Sequence, residues 1–501
     1  MARRVWPAAV VASTLYFGVV PEADNDLWMH LFAGRWILQH GAVPRADELS
    51  YTAYGSPWTD HEWLWQVAAF WVFDSGGSRA LFLLKLVFVG LCVAMCACAL
   101  QQLEKTRAAA CREEERPTVG TWPWGITMIL VIPVLARGWA MRPQLTTYVL
   151  LPALLAALAV WERGYRRISV AIVLGFAFWV NAHGGVLLGL VALALFAGFG
   201  VFGGHVELLR RAVLLLAAFA ATWLNPYGPG LYAYLADELG RPHPISEWQP
   251  VSLASEHLPF ILLALVFVAT LAWLPRRPPF LWRSVLALAV LGFALRHQRH
   301  TPVFALCVVP LLFAQFHGAA ASLRGAGLEL SLAAQRIVLA GVAIIAALQI
   351  VAAAASLRDS RARFVFDPRE YPVRAVQALR DGRAEGNLAV PLDWGGYVLW
   401  HLAPAIKPSL DGRFATVYPT RVVADNFAFF RGEPGWRRLL LHYPTEAVLL
   451  PAGTVHPLQR EPGWVRVYSD GVAVLYVRQD RLAAFAVSAS EPEKPILRWF
   501  P

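Results

Sequence analysis

The stretch Asp24-Asn25-Asp26-Leu27-Trp28-Met29-His30 stands directly after the first long apolar run of the chain. It lies in a polar loop, residues 21–62, which ends with Asp60-His61-Glu62. Acidic groups two positions apart cannot share a helix face, but in a turn they converge on one hydroxyl or one divalent cation. Carboxylates crowded in one loop also repel unless a proton, a cation or a substrate hydroxyl relieves them. The loop predicts catalytic roles for Asp24, Asp26 and Glu62.

A second role for Asp24 is structural. An aspartate just before Leu27-Trp28-Met29 is a good N-cap for the next helix, because its carboxylate accepts backbone N–H groups. The sequence leaves capping and catalysis equally open for Asp24, and the acids at the far end of the loop favour function. A divalent metal ion is the one cofactor that the loop suggests, with Asp24, Asp26 and His61 as its candidate ligands.

The composition indicates a polytopic membrane protein. Of the 501 residues, 57% are hydrophobic and only 16% are charged, which is more apolar surface than one soluble core can bury. We therefore expect membrane lipid as a partner. The net charge of +10 comes mostly from arginines that punctuate the apolar runs, as topology determinants do, so the sequence predicts no nucleic-acid partner.

The apolar runs predict eleven transmembrane helices, several of them short for a bilayer that takes roughly 17 to 25 residues per helix. We place them near residues 5–20, 79–101, 122–137, 144–161, 168–182, 185–202, 211–224, 258–274, 280–296, 300–316 and 334–356. Lysine and arginine fall in alternate loops, which are therefore predicted to be cytoplasmic. The N-terminus is then inside and the C-terminal segment outside.

Two segments affect this topology. Arg3 and Arg4 precede an apolar run of signal-peptide length, but no small-x-small cleavage site follows before Asp24, so we expect a retained helix. The Trp-rich segment 62–73 is too short to span, and we expect it to lie as an interfacial helix on the outer surface. If it spans instead, every later side reverses.

Polar motifs gather at the loop ends that this topology puts outside. The substrate-binding candidates among them are His61, Arg137, Arg142, Gln144, Asn181, His183, Glu247, Trp248, Arg296, His297, Arg299 and His300. Arginines and histidines on the outer side need an anion, and near a membrane that anion is a phosphate, of a substrate or of an ordinary lipid headgroup. Together with Arg137 and Arg142, the run Arg296 to His300 would form a cationic site opposite the acidic first loop.

Three of these candidates can also be explained by a structural role. His183 is followed by two glycines that let a ligand approach closely, and an ionisable group at membrane depth suggests function, although a hydrogen-bonded packing histidine fits too. Glu247 and Trp248 lie in the long loop 225–257 and offer a carboxylate and an aromatic platform for a sugar ring. A tryptophan belt at the membrane interface explains Trp248 nearly as well.

The composition changes at residue 357, where charges, prolines and glycines return. The short apolar runs 388–390, 447–451, 465–468 and 472–477 predict strands, with amphipathic helices near 373–379 and 436–442. We predict a transmembrane domain over residues 1–356, a small external α/β domain over 357–485 and a tail over 486–501. Asp393-Trp394-Gly395-Gly396-Tyr397 and Asp411-Gly412-Arg413 follow predicted strands, where they are either ligand loops or generic turns. Their glycine spacing does not fit a dinucleotide site.

These motifs and this architecture resemble the GT-C superfamily of polytopic glycosyltransferases. With Gly34-Arg35, Pro57-Trp58, His61-Glu62-Trp63-Leu64, Arg142-Pro143-Gln144 and the two glycine-pair motifs, the chain is more narrowly similar to a group of bacterial membrane proteins. The resemblance implies an all-α membrane domain with an external α/β domain, in the bacterial inner membrane. It also implies inverting transfer of a hexosyl or pentosyl group from a polyprenyl-phosphate donor to a saccharide, lipid or protein acceptor on the outer face.

Within that resemblance, an acid of the first loop acts as the base on the acceptor hydroxyl or as a metal ligand, and cations hold the departing phosphate. Asp24 or Asp26 takes the acidic role here. Many members have Asp-Glu at this place, so the sequence Asp-Asn-Asp leaves the identity of the base open. Two other functions use the same features: a transporter or flippase of a lipid-linked anion, and a non-catalytic protein of envelope assembly.

Overall fold

A computed structural model describes residues 2–109, 122–241, 245–274, 276–328, 330–487 and 500. Most of the predicted tail, 486–501, lies outside these residues. Contacts divide the chain into two compact units. The first unit holds residues 1–21, 82–228 and 243–362, and the second unit holds residues 22–81, 229–242 and 363–501. The acidic first loop therefore belongs to the same compact unit as the C-terminal α/β region.

The described residues form seventeen α-helices. They are α1 Ala2–Gly18, α2 Asn25–His40, α3 Trp63–Ala109, α4 Trp122–Ala136, α5 Gln144–Glu162, α6 Ile168–Trp179, α7 Val186–Gly198, α8 His205–Ala221, α9 Gly230–Gly240, α10 Leu258–Ala269, α11 Pro278–Arg296, α12 Thr301–Gly325, α13 Leu332–Ser360, α14 Val373–Asp381, α15 Leu392–Leu402, α16 Thr420–Phe430 and α17 Arg438–His442. Each of the eleven predicted spans coincides with one of them.

Six described helices are long and apolar enough to cross a membrane, and three more are apolar but shorter. The chain is thus a multi-pass membrane protein, while the predicted number of eleven spans is not confirmed. α8 illustrates the reason, because Glu207, Arg210 and Arg211 occupy its first half and leave a short apolar run. The sidedness of the loops stays a prediction.

The predicted interfacial helix forms the first part of α3. Two glycines interrupt that helix, Gly76 with φ −150° and Gly77 with φ 63°. A positive φ is strained for other residues and accessible to glycine, so Gly77 allows the chain to break the helix here. The segment before the glycines and the apolar segment after them are therefore separate helical pieces.

A five-stranded sheet forms the centre of the second unit. Its strands are β1 Gly386–Ala389, β2 Ile406–Pro408, β3 Ala447–Pro451, β4 Trp464–Ser469 and β5 Ala473–Arg478, in the order β2-β1-β3-β5-β4. β1 runs parallel to β2 and β3, with Leu388 opposite Pro408 and Ala447, and β5 runs antiparallel to its neighbours. The four predicted strands are confirmed, and β2 was not predicted.

Helix α2 is packed on this α/β core through Trp28. Its side chain is fully buried, and its ring lies 4.9 Å from the Tyr397 ring of α15 and 5.7 Å from the Phe366 ring. Burying an indole of this size stabilises the contact strongly and determines how α2 is oriented. As a result, the N-terminus of α2, which carries the Asp24-Asn25-Asp26 motif, lies beside the N-terminal part of α15.

Candidate active site

Asp24 caps helix α2. It has extended backbone dihedrals, φ −79° and ψ 148°, and its Oδ1 accepts the backbone N–H of Asp26 at 3.0 Å. This is the arrangement that an N-cap aspartate adopts, so the capping role considered from the sequence is present. Asp26 lies in the first turn of α2. Both carboxylates therefore lie at the N-terminal, positive end of the α2 helix dipole.

Asn25, between the two acids, connects α2 to two other segments. Its Oδ1 accepts the hydroxyl proton of Tyr371, and its side chain hydrogen-bonds the carboxyl group of Asp393. An amide suits this place because it accepts from the phenol and donates to the carboxylate. An acidic side chain at position 25 would face Asp393 with like charge. This contact gives a physical reason for asparagine at the place where the resembling family often has an acid.

The Asp393-Trp394-Gly395-Gly396-Tyr397 motif lies in the first turns of α15, after parallel strand β1, and not in a loop as the sequence suggested. Its glycines allow close backbone approach. A Cβ on Gly395 would lie 2.0 Å from the Leu410 carbonyl oxygen, and one on Gly396 would lie 3.3 Å from the Asn25 carbonyl oxygen. α15 therefore touches both the acidic motif and the loop after β2.

The Asp411-Gly412-Arg413 motif is held by a buried ion-pair network. Arg413 donates from Nη2 to Asp411 at 2.8 Å and from Nη1 to Asp47 at 2.6 Å, and the Tyr418 hydroxyl donates to Asp411 at 2.7 Å. Burial alone would raise the pKa of Asp411, but the Arg413 charge and these hydrogen bonds hold it below its ordinary value. The aspartate is an anion and the loop is rigidly positioned.

Gly412 lies between the ion-pair network and the Asp24-Asn25-Asp26 motif. A Cβ at position 412 would lie 2.7 Å from Oδ1 of Asp26 and 3.7 Å from Cβ of Met29. Only a hydrogen fits beside the Asp26 carboxylate. Three motifs that are distant in the sequence thus meet within the second unit: Asp24-Asn25-Asp26, the start of α15 and the loop after β2. We refer to Asp24, Asn25, Asp26, Asp393 and Gly412 as the acidic cluster.

Gly412→Ala is expected to displace the Asp26 carboxylate without unfolding the protein. The added methyl group would overlap Oδ1 of Asp26, the end of a side chain that can rotate away, so the clash is relieved at the acid. Any activity that depends on Asp26 should fall at least about tenfold, the factor that about 1.4 kcal/mol represents. Gly471→Ala is the matched control, since nothing lies within 4 Å of its built Cβ. Equal activity of the two variants would contradict this role for Gly412.

Asp60, at the end of the first loop, is buried, and the neighbouring His61 is partly buried. Gln66 Nε2 donates to Asp60 Oδ1 at 2.9 Å. Burial raises the pKa of Asp60 to about 7 and lowers the pKa of His61 to about 4. His61 Nε2 lies 3.8 Å from the Glu62 carboxylate, and its ring lies 5.5 Å from the Tyr234 ring of α9.

These two residues should have opposing effects on stability. Asp60, with a raised folded-state pKa, stabilises the fold most below pH about 4 and loses that effect as the pH rises through about 7. His61, with a lowered pKa, stabilises above pH about 6.5 and loses that effect as the pH falls through about 4. The wild type should therefore show little net pH dependence from this pair.

Asp60→Asn should make the protein less stable on acidification, and His61→Gln should make it more stable. Each pKa unit corresponds to about 1.4 kcal/mol, so each change should reach a few kcal/mol between pH 7 and pH 4.5. Unfolding midpoints of the full chain in detergent across this range measure the effect. If both variants followed the wild-type profile, the burial argument for the pair would fail.

The predicted basic residues lie in the first unit, and several already have protein partners. Arg142 pairs with Glu247 at 2.7 Å, and the Arg299 guanidinium lies over the Trp248 ring at 4.5 Å. His297 Nδ1 lies 2.8 Å from the Trp248 carbonyl oxygen. The structure therefore brings the Glu247-Trp248 motif and the 297–300 cluster together, as a compact group around one indole ring.

Arg137 contacts the same neighbourhood. It donates to the Glu256 carbonyl oxygen and, at 3.3 Å, to Gln298 Oε1, which also lies 2.7 Å from His257 Nε2. Gln144 is the first residue of α5, and Arg296 is the exposed last residue of α11.

His183 and Asn181 have local partners. His183 Nδ1 lies 2.8 Å from Thr147 Oγ1 and accepts the backbone N–H of Gly185 at 2.9 Å. Asn181 Nδ2 donates to the carbonyl oxygens of Ala177 and Leu224, both at 2.8 Å. The packing role considered for His183 is thus present, and a substrate role for either residue stays a prediction.

The described part of the chain contains no group of three or more His, Cys, Asp and Glu residues placed to hold a metal ion. A metal on Asp24, Asp26 and His61 stays a prediction. The sequence offered no signal for Tyr371, Asp47 or Tyr234, which are single polar residues outside the motifs quoted above. Their partners are distant in the chain, and only the fold shows the contacts.

No family model matches the chain, and no curated protein matches its sequence. Solved structures do match. The apo oligosaccharyltransferase of Archaeoglobus fulgidus is 13% identical with a TM-score of 0.58, covering 89% of this chain and 69% of that one. ArnT from Cupriavidus metallidurans bound to undecaprenyl phosphate is 14% identical with a TM-score of 0.52, covering 94% and 97%.

A third match is the archaeal oligosaccharyltransferase AglB from Archaeoglobus fulgidus in complex with an inhibitory peptide and a dolichol-phosphate. It is 12% identical with a TM-score of 0.57, again covering 89% of this chain and 69% of that one. Both kinds of protein are GT-C glycosyltransferases. The chain therefore has the GT-C fold, and the resemblance that its motifs predicted is confirmed at the level of fold.

Proposed function

We propose that the chain is an integral-membrane glycosyltransferase that moves a sugar from a polyprenyl-phosphate donor to an acceptor on the outer face of the membrane, with inversion. The observation that carries this proposal is the acidic cluster, in which the first-loop acids meet two glycine motifs on a GT-C fold. Fold alone does not give function, so the residues of the cluster have to account for the chemistry.

Asp26 is the better candidate for the general base. Asp24 already uses Oδ1 to cap α2, and Asp393 is hydrogen-bonded by Asn25. The Asp26 carboxylate lies in the first turn of α2, with its Oδ1 beside Gly412 in the loop that the Arg413 ion pairs hold. A general base needs a carboxylate within hydrogen-bond reach of the substrate hydroxyl.

The proposed reaction is a single displacement. The acceptor hydroxyl gives its proton to the Asp26 carboxylate while its oxygen forms a bond to the anomeric carbon of the donor sugar. The bond between that carbon and the phosphate oxygen breaks, and the polyprenyl phosphate leaves with the electron pair. Because phosphate is a weakly basic leaving group, positioning and charge neutralisation should contribute more than acid catalysis.

We assign phosphate binding to the basic residues of the first unit. Undecaprenyl phosphate is bound in the ArnT structure, and a dolichol-phosphate is present in the AglB complex. Arg299 and Arg137 are the strongest candidates here, since Arg142 is already neutralised by Glu247 at 2.7 Å. Guanidinium groups suit phosphate because they present planar, paired donors.

The test is direct transfer by the full chain. The purified protein, reconstituted in liposomes, is given synthetic polyprenyl-phosphate hexoses and pentoses with an extract of bacterial envelope lipids and saccharides as acceptors. Release of polyprenyl phosphate and a mass increase of one sugar on an acceptor would support the proposal. Movement of intact donor across the bilayer without its consumption would contradict it and favour a flippase.

A further inference from the structure

A groove of about 390 Å³ lies within the second unit. Its walls come from three segments: residues 56–59 of the first loop, α9, and residues 415–419 after β2. The volume falls in the range of about 300–1,000 Å³ that is typical of small-molecule sites. Pro57 of the lining belongs to the quoted Pro57-Trp58 motif, but no function was predicted for it, and the chemistry of the acidic cluster does not use the lining residues.

The walls of the groove are joined to one another by hydrogen bonds. Arg241 donates from Nη1 to the carbonyl oxygens of Ala415 at 3.3 Å and Tyr418 at 3.4 Å, and its Nε donates to Asp237 at 3.0 Å. The backbone N–H of Thr59 donates to the Thr416 carbonyl oxygen at 3.1 Å. These hydrogen bonds hold the three walls of the groove together.

The third wall continues directly from the acidic cluster. The Thr416 backbone N–H donates to the carbonyl oxygen of Arg413 at 2.9 Å, and the Thr416 hydroxyl donates to the same oxygen at 2.5 Å. Arg413 follows Gly412, the residue beside Asp26. The third wall of the groove and the acidic cluster are thus joined by the short segment 412–416.

The lining of the groove suits a neutral ligand. Its two charged side chains, Asp237 and Arg241, form an ion pair with each other, so the groove presents no uncompensated charge to a phosphate or a polyanion. The hydroxyl groups of Ser56 and Thr59 can donate and accept hydrogen bonds, as sugar hydroxyls require, and the Thr416 hydroxyl, whose proton goes to Arg413, can accept one.

The apolar part of the lining also suits a neutral sugar. The Tyr234 ring supplies an amphipathic surface on which a sugar ring can lie. Burial and the nearby Glu238 raise the pKa of Tyr234, so its hydroxyl stays neutral. None of the lining residues belongs to the five strands of the sheet, so the groove offers no strand edge to which an extended peptide could add.

We propose that this groove binds the acceptor of the reaction and that the acceptor is a neutral oligosaccharide. The inference rests on the proposed function, because it supplies the hydroxyl that Asp26 would deprotonate. Ser56, Thr59 and Thr416 hydrogen-bond the sugar hydroxyls, and Tyr234 packs against a ring face.

The test compares two tryptophan substitutions on one helix. Ala233 and Ala236 are both exposed on α9, but only Ala233 lines the groove. Ala233→Trp fills the groove without removing any hydrogen bond, and Ala236→Trp adds the same side chain outside it. Binding of fluorescently labelled neutral hexose and pentose tetrasaccharides to the full chain in detergent is measured for both variants, for the wild type and for Asp26→Asn.

The wild type, Ala236→Trp and Asp26→Asn should bind at least one neutral tetrasaccharide, and Ala233→Trp should bind it at least tenfold more weakly. Equal affinity of Ala233→Trp and the wild type, or wild-type protein that binds none of the sugars, would overturn the inference. A labelled extended peptide that binds the wild type and is blocked by Ala233→Trp would also overturn it. Binding does not require transfer, so these outcomes are independent of the transfer assay that tests the proposed function.

Discussion

Asp26→Asn is expected to lower the turnover number for sugar transfer by about 10²–10⁴-fold, the contribution that a general base typically makes. The amide is nearly isosteric with the carboxylate, so it should leave the packing beside Gly412 unchanged, but it cannot accept the proton of the acceptor hydroxyl. The assay is transfer from a polyprenyl-phosphate sugar in liposomes. Binding of the donor should be nearly unchanged, because the loss concerns the chemical step alone.

Asp24→Asn is the comparison that identifies the base. Asparagine caps helices as well as aspartate does, so the hydrogen bond to the Asp26 backbone N–H should persist and the helix should keep its stability. The activity loss should be well below that of Asp26→Asn, less than about tenfold. If instead Asp24→Asn abolished transfer while Asp26→Asn retained it, Asp24 would be the base and the cap would be incidental.

The sequence predicted the positions of eleven helices from one simple rule, because a bilayer requires a long apolar run. It also predicted β1, β3, β4 and β5, which are apolar runs bounded by polar residues. β2 was not predicted because Ile406-Lys407-Pro408 has only three residues, one charged and one a proline, so no periodic pattern exists to detect. Only its pairing with β1 makes it a strand.

The candidate site likewise combines residues that the local sequence predicts with contacts that only the fold shows. Asp24 and Asp26 were predicted as site residues because two acids in a short polar stretch are unusual on their own. The contact between Asp26 and Gly412 joins positions far apart in the chain, and it depends on how α2, α15 and the loop after β2 pack. The ion pair of Arg413 with Asp47 is equally non-local. Such contacts follow from tertiary packing and leave no mark in local spacing.

Arg413→Ala is expected to lower the free energy of unfolding by about 3–5 kcal/mol, the usual effect of removing one partner from a buried ion pair. The Arg413 side chain is 1% exposed, and its removal would leave Asp47 and Asp411 buried without their counter-charge. Burial raises the cost of each unpaired carboxylate, so the folded state loses stability relative to the unfolded state. The unfolding midpoint of the full chain in detergent, followed by tryptophan fluorescence, measures the loss.

Two further variants test whether the loss of stability comes from the buried ion-pair network or from the removal of any positive charge. Arg369→Ala breaks the pair with Asp367, in which the arginine side chain is 88% exposed, and should leave the midpoint unchanged. Arg413→Lys keeps the positive charge, but its single ammonium group cannot bind both carboxylates as the planar guanidinium does. Its unfolding midpoint should therefore lie between those of Arg413→Ala and the wild type. A midpoint for Arg413→Ala equal to that of Arg369→Ala would show that the network does not stabilise the fold. The loop that places Gly412 beside Asp26 would then have to be held by the packing of α15 alone.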